Sequence, residues 1–256
     1  MNSILTIAMT LIVSGSFAQL KPVAYQDGQQ QLKGLVISPA KTTQKKAGIL
    51  ILPAWKGIDN HAKETAVKLA GLGYYAFVAD IYGEGHYPKD AKEAGQQSGY
   101  YKKNVTAYQQ RIKLALQQLI KAGADPSRII VIGYCFGGTG VLEAARADFP
   151  VKGVVSIHGG LAQYAGERAV NPIHTKVLVL HGADDPSMTS EQVLGFQQEM
   201  RTAKADWQMI EYANAVHAFT DRDAGNDNSK GAAYNELASK RSWKHMLLFF
   251  DEILAN

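Results

Sequence analysis

Ile129-Ile130-Val131-Ile132-Gly133-Tyr134-Cys135-Phe136-Gly137-Gly138 is the stretch that decides the fold. Its first four residues are β-branched aliphatics, a short apolar run of buried-strand type. The turn formers Asp125-Pro126-Ser127 precede it, and a helical pattern, Gly138 to Ala147, follows. A strand that passes through Gly-x-Cys-x-Gly into a helix has the context of a nucleophile elbow, with Cys where Ser is usual. Such a turn is strained and demands small residues two before and two after the nucleophile, which Gly133 and Gly137 supply. The following helix points its positive end at the sulfur and favours thiolate. Glycine is 24 of 256 residues, so Gly at both offsets from the single cysteine is about a 1% coincidence by composition. The plainer alternative is a buried structural cysteine beside packing glycines.

Outward from the elbow, strand-like and helix-like stretches alternate. Strands are predicted at Leu32–Ile37 (after a turn at Asp27-Gly28), Ala47–Leu52, Tyr75–Ala79, Ile129–Ile132, Val154–Ile157, Val177–Leu180 and Trp207–Tyr212. Helices are predicted at Asn60–Leu72, with Asn60 as N-cap, and at Val105–Ala122, Gly138–Ala147, Ser190–Thr202 and Ala232–Leu254. Alternation of this kind predicts an α/β fold, a mostly parallel central sheet with helices on both faces. Gly83–Lys103 and Asp221–Gly231 read as long polar loops. No internal repeat or linker divides the chain, so residues 19–256 are expected to form one domain.

A thiol at its ordinary pKa is only a few per cent ionised at neutral pH, so it needs a base, and the base needs an orienting acid. In α/β-hydrolases the chain order is nucleophile, acid, histidine. Val177–Leu180 leads into His181-Gly182-Ala183-Asp184-Asp185-Pro186. Asp185, three residues past Gly182 with Pro186 fixing the turn after it, is favoured over the adjacent Asp184. Trp207–Tyr212 leads into Ala213-Asn214-Ala215-Val216-His217-Ala218-Phe219, which puts His217 on a loop beyond a strand end. His245 falls inside the final helix, and His181 and His158 precede glycines at strand ends. For the oxyanion hole, the residue after the nucleophile, Phe136, offers one N–H. The loop Leu52-Pro53-Ala54-Trp55-Lys56-Gly57 offers another, assigned to Trp55. Tyr82, His158 and Phe219 are expected to line the pocket.

These residues resemble the dienelactone hydrolase family over about Gln31 to Leu254. The resemblance is carried by Pro53-Ala54-Trp55-Lys56-Gly57, Leu72-Gly73-Tyr74, Asp80-Ile81-Tyr82-Gly83, Gly133-Tyr134-Cys135-Phe136-Gly137-Gly138, Gly182-Ala183-Asp184-Asp185 and His217-Ala218-Phe219. The cysteine elbow is its specific element. It implies a Cys135–Asp185–His217 triad. Two departures stand out. The family often carries Glu in the early loop, contacting the thiol, where this chain has Ala54, which leaves His217 as the sole base. Family members acting on dienelactone use arginines for the substrate carboxylate, whereas the matching places here are Glu84 and Asp221. Repulsion from those two predicts that an anionic lactone is disfavoured.

The formal charge of +4, with no Lys/Arg block longer than two, gives no footprint for nucleic acid. Met1–Ala18 carries no charged side chain, Ile4–Val13 is nearly all apolar, and Ser16-Phe17-Ala18 has the small-x-small pattern of a cleavage site. The segment reads as a signal peptide, residues 1–18, predicting export to the periplasm or medium. About 10 apolar residues fall short of the roughly 20 needed to span a bilayer, so no membrane association is expected after cleavage. A lone cysteine cannot form an intrachain disulfide and is exposed to oxidation outside the cytoplasm.

Together these features predict an exported hydrolase of ester, lactone or thioester bonds in a small-molecule substrate. It would work through an acyl-cysteine intermediate, with no metal or organic cofactor required. Two other readings are a non-catalytic small-molecule-binding member of the fold, motivated by Ala54, and a thiol-based redox sensor.

Overall fold

The computed structural model describes residues 19–166 and 168–255, so the signal-peptide reading of residues 1–18 lies outside the described residues. Eight strands form one sheet: β1 (Lys21–Asp27), β2 (Gln30–Ile37), β3 (Gly48–Leu52), β4 (Tyr75–Val78), β5 (Ile129–Tyr134), β6 (Gly153–Ile157), β7 (Lys176–Gly182) and β8 (Trp207–Tyr212). Their order is β1-β2-β4-β3-β5-β6-β7-β8. β1 pairs antiparallel with β2, and β2 antiparallel with β4; every pairing from β4 through β8 is parallel. The expected mostly parallel sheet is therefore present, extended by an N-terminal hairpin.

Six helices cover it: α1 (Asn60–Gly71), α2 (Ala91–Lys103), α3 (Val105–Lys121), α4 (Phe136–Arg146), α5 (Ser190–Thr202) and α6 (Glu236–Leu254). Successive strand side chains point to opposite faces. In β3, Leu50 and Leu52 therefore join the core that includes Tyr108 and Ile112 of α3, Val141 of α4 and Phe196 of α5. Ile49 and Ile51 join Ala62 and Leu69 of α1 and Phe249 and Phe250 of α6. Both faces are covered, which is why the central strands read as unbroken apolar runs.

Three differences from the sequence reading bear on the site and its surroundings. Asp59, not Asn60, caps α1, its carboxylate accepting from Ala62 N–H at 2.8 Å. α4 begins at Phe136, so the helix starts directly behind Cys135. Most of the expected Gly83–Lys103 loop is α2, capped by Asp90, whose Oδ1 accepts from Glu93 N–H while Glu93 Oε2 accepts from Lys89 N–H.

The chain leaves β3 to one side for β4 and reaches β5 on the other. The loops after β3 and β5 therefore meet at a topological switch point, where α/β sheets bind ligands. Arg146 fastens the other end of α4: its guanidinium bonds Glu143 and both oxygens of Glu199 at 2.8 Å and donates to the Leu161 carbonyl at 2.7 Å.

Candidate active site

Cys135 stands between the last residue of β5 and the first of α4, with φ +52° and ψ −111°. That is a costly backbone for a residue with a Cβ. The neighbouring glycines hold it. A Cβ on Gly133 would come within 2.1 Å of the Gly137 carbonyl oxygen, and one on Gly137 within 2.1 Å of the Leu52 carbonyl oxygen. The missing side chains let the first turn of α4 close onto the end of β3. That brings Phe136 beside the loop bearing Trp55.

Two tyrosines fix the carbonyls of these two residues. Tyr108 Oη donates to Phe136 O at 2.9 Å, and Tyr82 Oη donates to Trp55 O at 2.6 Å. The Phe136 ring stacks on Tyr108 at 4.6 Å and on Tyr82 at 5.8 Å. Holding a carbonyl fixes its own peptide plane, here those that carry the N–H groups of Gly137 and Lys56, and so anchors the two segments side by side. The Phe136 N–H favours the ionised form of the Cys135 sulfur.

His217 follows β8, and its Nε2 lies 3.0 Å from Cys135 Sγ. Its Nδ1 lies 2.8 Å from Asp185 Oδ2. The other oxygen of Asp185 accepts from Ser187 N–H at 2.9 Å and Ser187 Oγ–H at 2.6 Å, an Asx turn that locks the carboxylate. Asp185 is buried, whereas Asp184 is exposed and meets the Ala215 carbonyl through its backbone N–H.

Charge is arranged to match. Burial opposes a thiolate at Cys135, but the His217 imidazole, then Lys102 and the Phe136 N–H, outweigh it and hold the thiol below its usual range. Burial likewise opposes a charged His217, but the Asp185 carboxylate and the Cys135 sulfur push its pKa well up. Burial raises Asp185, while His217 and Ser187 bring it down to about 2. The arrangement suits a thiolate–imidazolium pair backed by a carboxylate.

The three expected pocket residues sit beneath the site and do not form open walls, a correction to the sequence reading. Phe219 is fully buried, its ring 5.3 Å from His158 and 5.4 Å from Tyr212. His158 is buried at the end of β6, its Nδ1 accepting from Cys135 N–H at 3.1 Å. Tyr82 is buried between Phe136 and Tyr101. His245 pairs with Tyr212 Oη at 2.8 Å on α6.

Glu84 and Asp221 are the residues from which repulsion of an anionic lactone is expected. Glu84 is exposed, and Asp221 acts on His61. The side chain that brings charge to the thiol from outside the triad is Lys102, in α2. Its Nζ sits 4.6 Å from the centre of the Tyr164 ring. Lys102 falls in the expected Gly83–Lys103 loop and Tyr164 in a stretch without an assigned element, and no motif marks either. Ser187 did carry a signal, the Asp-x-Ser spacing of an Asx turn.

The fold and this elbow define an α/β-hydrolase. The dienelactone hydrolase family model matches residues 32–254, and the chain belongs to that family. It is a hydrolase acting on ester or lactone bonds. Among solved structures, the dienelactone hydrolase-like promiscuous phosphotriesterase P91 from metagenomic libraries is 35% identical. It covers 93% of this chain and 99% of its own, with a TM-score of 0.86. The probable 2-oxo-3-(5-oxofuran-2-ylidene)propanoate lactonase of a Bradyrhizobium species is 25% identical over 219 residues, 81% of this chain and 84% of that protein. The acylaminoacyl peptidase of Pyrococcus horikoshii shares the fold at 14% identity. Its TM-score is 0.67, over 94% of this chain and 42% of the peptidase.

Proposed function

We propose that this protein hydrolyses an ester, lactone or thioester through an acyl-cysteine intermediate, with Cys135 as nucleophile, His217 as base and Asp185 as its orienting acid. The carrying observation is the continuous contact of Sγ with Nε2 at 3.0 Å and of Nδ1 with Oδ2 at 2.8 Å. The thiolate attacks the acyl carbon, and its carbonyl electrons move onto the oxygen, held by the N–H groups of Phe136 and Trp55. Collapse expels the alkoxide or thiolate, which takes the His217 proton. His217 then removes a proton from water, which attacks the thioester; Cys135 leaves as thiolate and the acid is released. Asp185 keeps the imidazole in the required tautomer.

Lys102 supports an acyl group that carries a negative charge, in keeping with the propanoate named for the Bradyrhizobium relative. The apolar run Ile4–Val13 and the Ser16-Phe17-Ala18 site support export, with cleavage after Ala18.

The test is hydrolysis of a panel of activated esters and lactones by wild-type and Cys135→Ala protein, with mass spectrometry of the quenched wild-type reaction. An acyl adduct on Cys135, and turnover lost in the variant, is the expected result. Undiminished turnover in Cys135→Ala would exclude the cysteine mechanism. Saturable binding without product would favour a ligand-binding role.

A further inference from the structure

A chain of hydrogen bonds runs from the backbone of Cys135 to a separate cavity. Cys135 N–H reaches His158 Nδ1 at 3.1 Å, beside the Ile157 carbonyl at 3.0 Å. His158 Nε2 lies 2.8 Å from Thr220 Oγ1, and Thr220 Oγ1 lies 3.2 Å from His61 Nε2. His61 and Thr220 line a cavity of about 470 Å³, together with Thr65, Tyr134, Asp221 and Trp243.

The direction of this chain is set at its first bond. A backbone N–H can only donate, so His158 Nδ1 must accept. A neutral imidazole that accepts at Nδ1 carries its proton on Nε2. That proton goes to Thr220 Oγ1. The hydroxyl has one proton of its own, and it goes to His61 Nε2. His61 then carries its proton on Nδ1. Each member's orientation depends on the one before it. A proton added at His61 Nε2 would make that ring a donor, so Thr220 Oγ1 would accept from both imidazoles and its own proton would have to leave the chain.

We infer that His158, Thr220 and His61 are positioning residues, a single directional chain that holds the Cys135 backbone in its strained conformation. The inference rests on Cys135 being the nucleophile, as proposed above. His158 also packs its ring 5.3 Å from His217, so its tautomer and position bear on nucleophile and base together. Burial holds His158 neutral, with His217 and His61 reinforcing it.

His61 is the end of the chain open to change. Its ring packs 4.4 Å from Tyr134 of β5. Burial lowers its pKa; Asp221, Asp59 and Glu64 oppose this, and Lys68 adds to it. Arg222 and Asp223, and Lys240 and Lys244 of α6, line the same cavity.

The test compares wild type with Thr220→Val, Thr220→Ser, His61→Gln and His61→Ala. The first readout is the rate of alkylation of Cys135 by iodoacetamide against pH. The second is the tautomer of His158 from imidazole nitrogen shifts. Thr220→Val should slow alkylation at neutral pH about fivefold, the equivalent of one hydrogen bond, and should shift the His158 Nε2 resonance as its N–H loses an acceptor. Thr220→Ser should restore both. His61→Gln keeps an acceptor facing Thr220 and should abolish the acidic step that His61 adds to the profile, while His61→Ala, which removes the acceptor of the Thr220 proton, should also abolish that step and slow alkylation less than Thr220→Val does. If Thr220→Val proves unfolded in a thermal melt, the His61 pair decides. Identical alkylation profiles and an unchanged His158 Nε2 shift in folded variants would overturn the inference. Alkylation needs no substrate, so absence of ester turnover would refute the proposed hydrolysis without touching this readout.

Discussion

Gly133 and Gly137 approach so closely that a Cβ on Gly133 would stand 2.1 Å from the Gly137 carbonyl oxygen. The obstructing atoms are backbone and cannot swing away. Gly133→Ala and Gly137→Ala therefore have to move β5, α4 or the end of β3. Overpacking of this kind costs about 1–3 kcal/mol or more. In a chain of this size that lowers Tm by roughly 2–4 °C per kcal/mol. Thermal melts should show that loss in both variants, with slower iodoacetamide alkylation of Cys135. An unshifted melt would mean the elbow is looser than its geometry states.

Gly99 in α2 makes the opposite case. A Cβ there meets nothing within 4 Å. Gly99→Ala should stabilise the protein by about 0.5–1 kcal/mol, because glycine loses more backbone freedom than alanine in a helix. Chemical denaturation should show a higher midpoint at an unchanged slope.

The same glycine explains what the sequence concealed. With Gly95 and Gly99 among thirteen residues and buried positions only at Ala94, Ser98 and Tyr101, α2 has little apolar periodicity to read. Its packing supplies what propensity lacks, through Tyr101 against Tyr82 and Tyr108. The Asp90-x-x-Glu93 capping spacing was the readable sign of it. β1 was missed for a related reason: it is an edge strand, and only Tyr25 is buried in it. The elbow, the acid and the histidine were legible because strain and turn chemistry demand particular residues at fixed offsets. Lys102, Thr220 and His61 were not, because tertiary packing alone brings them to Cys135.

Asp185 and His217 make stability depend on pH in two opposite windows. The Asp185 carboxyl is lowered to about 2, so its contribution is complete above the ordinary value of about 3.9 and is lost as pH falls through about 2. His217 is raised, so its contribution is complete below the ordinary value of about 6.5 and is lost as pH climbs through its elevated pKa. Asp185→Asn should flatten the acid limb of a Tm-against-pH curve and return the thiol toward its ordinary pKa. Turnover should fall by about 10⁴, as expected when the orienting acid of a triad is neutralised. Asp184→Asn, at an exposed position, should leave both measurements near wild type.

Lys102 tests how the site treats charge. It contributes to holding the Cys135 thiol down, and its own pKa is lowered by burial, with the Cys135 sulfur working against that shift. An ammonium withdrawn from water and resting on the Tyr164 ring keeps part of its stabilisation from the aromatic face. A substrate carboxylate would supply a stronger partner. Lys102→Met keeps the length and apolar stem and removes the charge. The thiol pKa should rise, slowing alkylation several-fold at pH 7. The larger effect should fall on selectivity. kcat/KM for an ester with a carboxylate in its acyl group should drop by about tenfold more than for its uncharged methyl ester, the size expected from about 1.4 kcal/mol of lost ion pairing. Equal losses for the two esters would confine Lys102 to the thiol and leave the charge preference of the site to other residues.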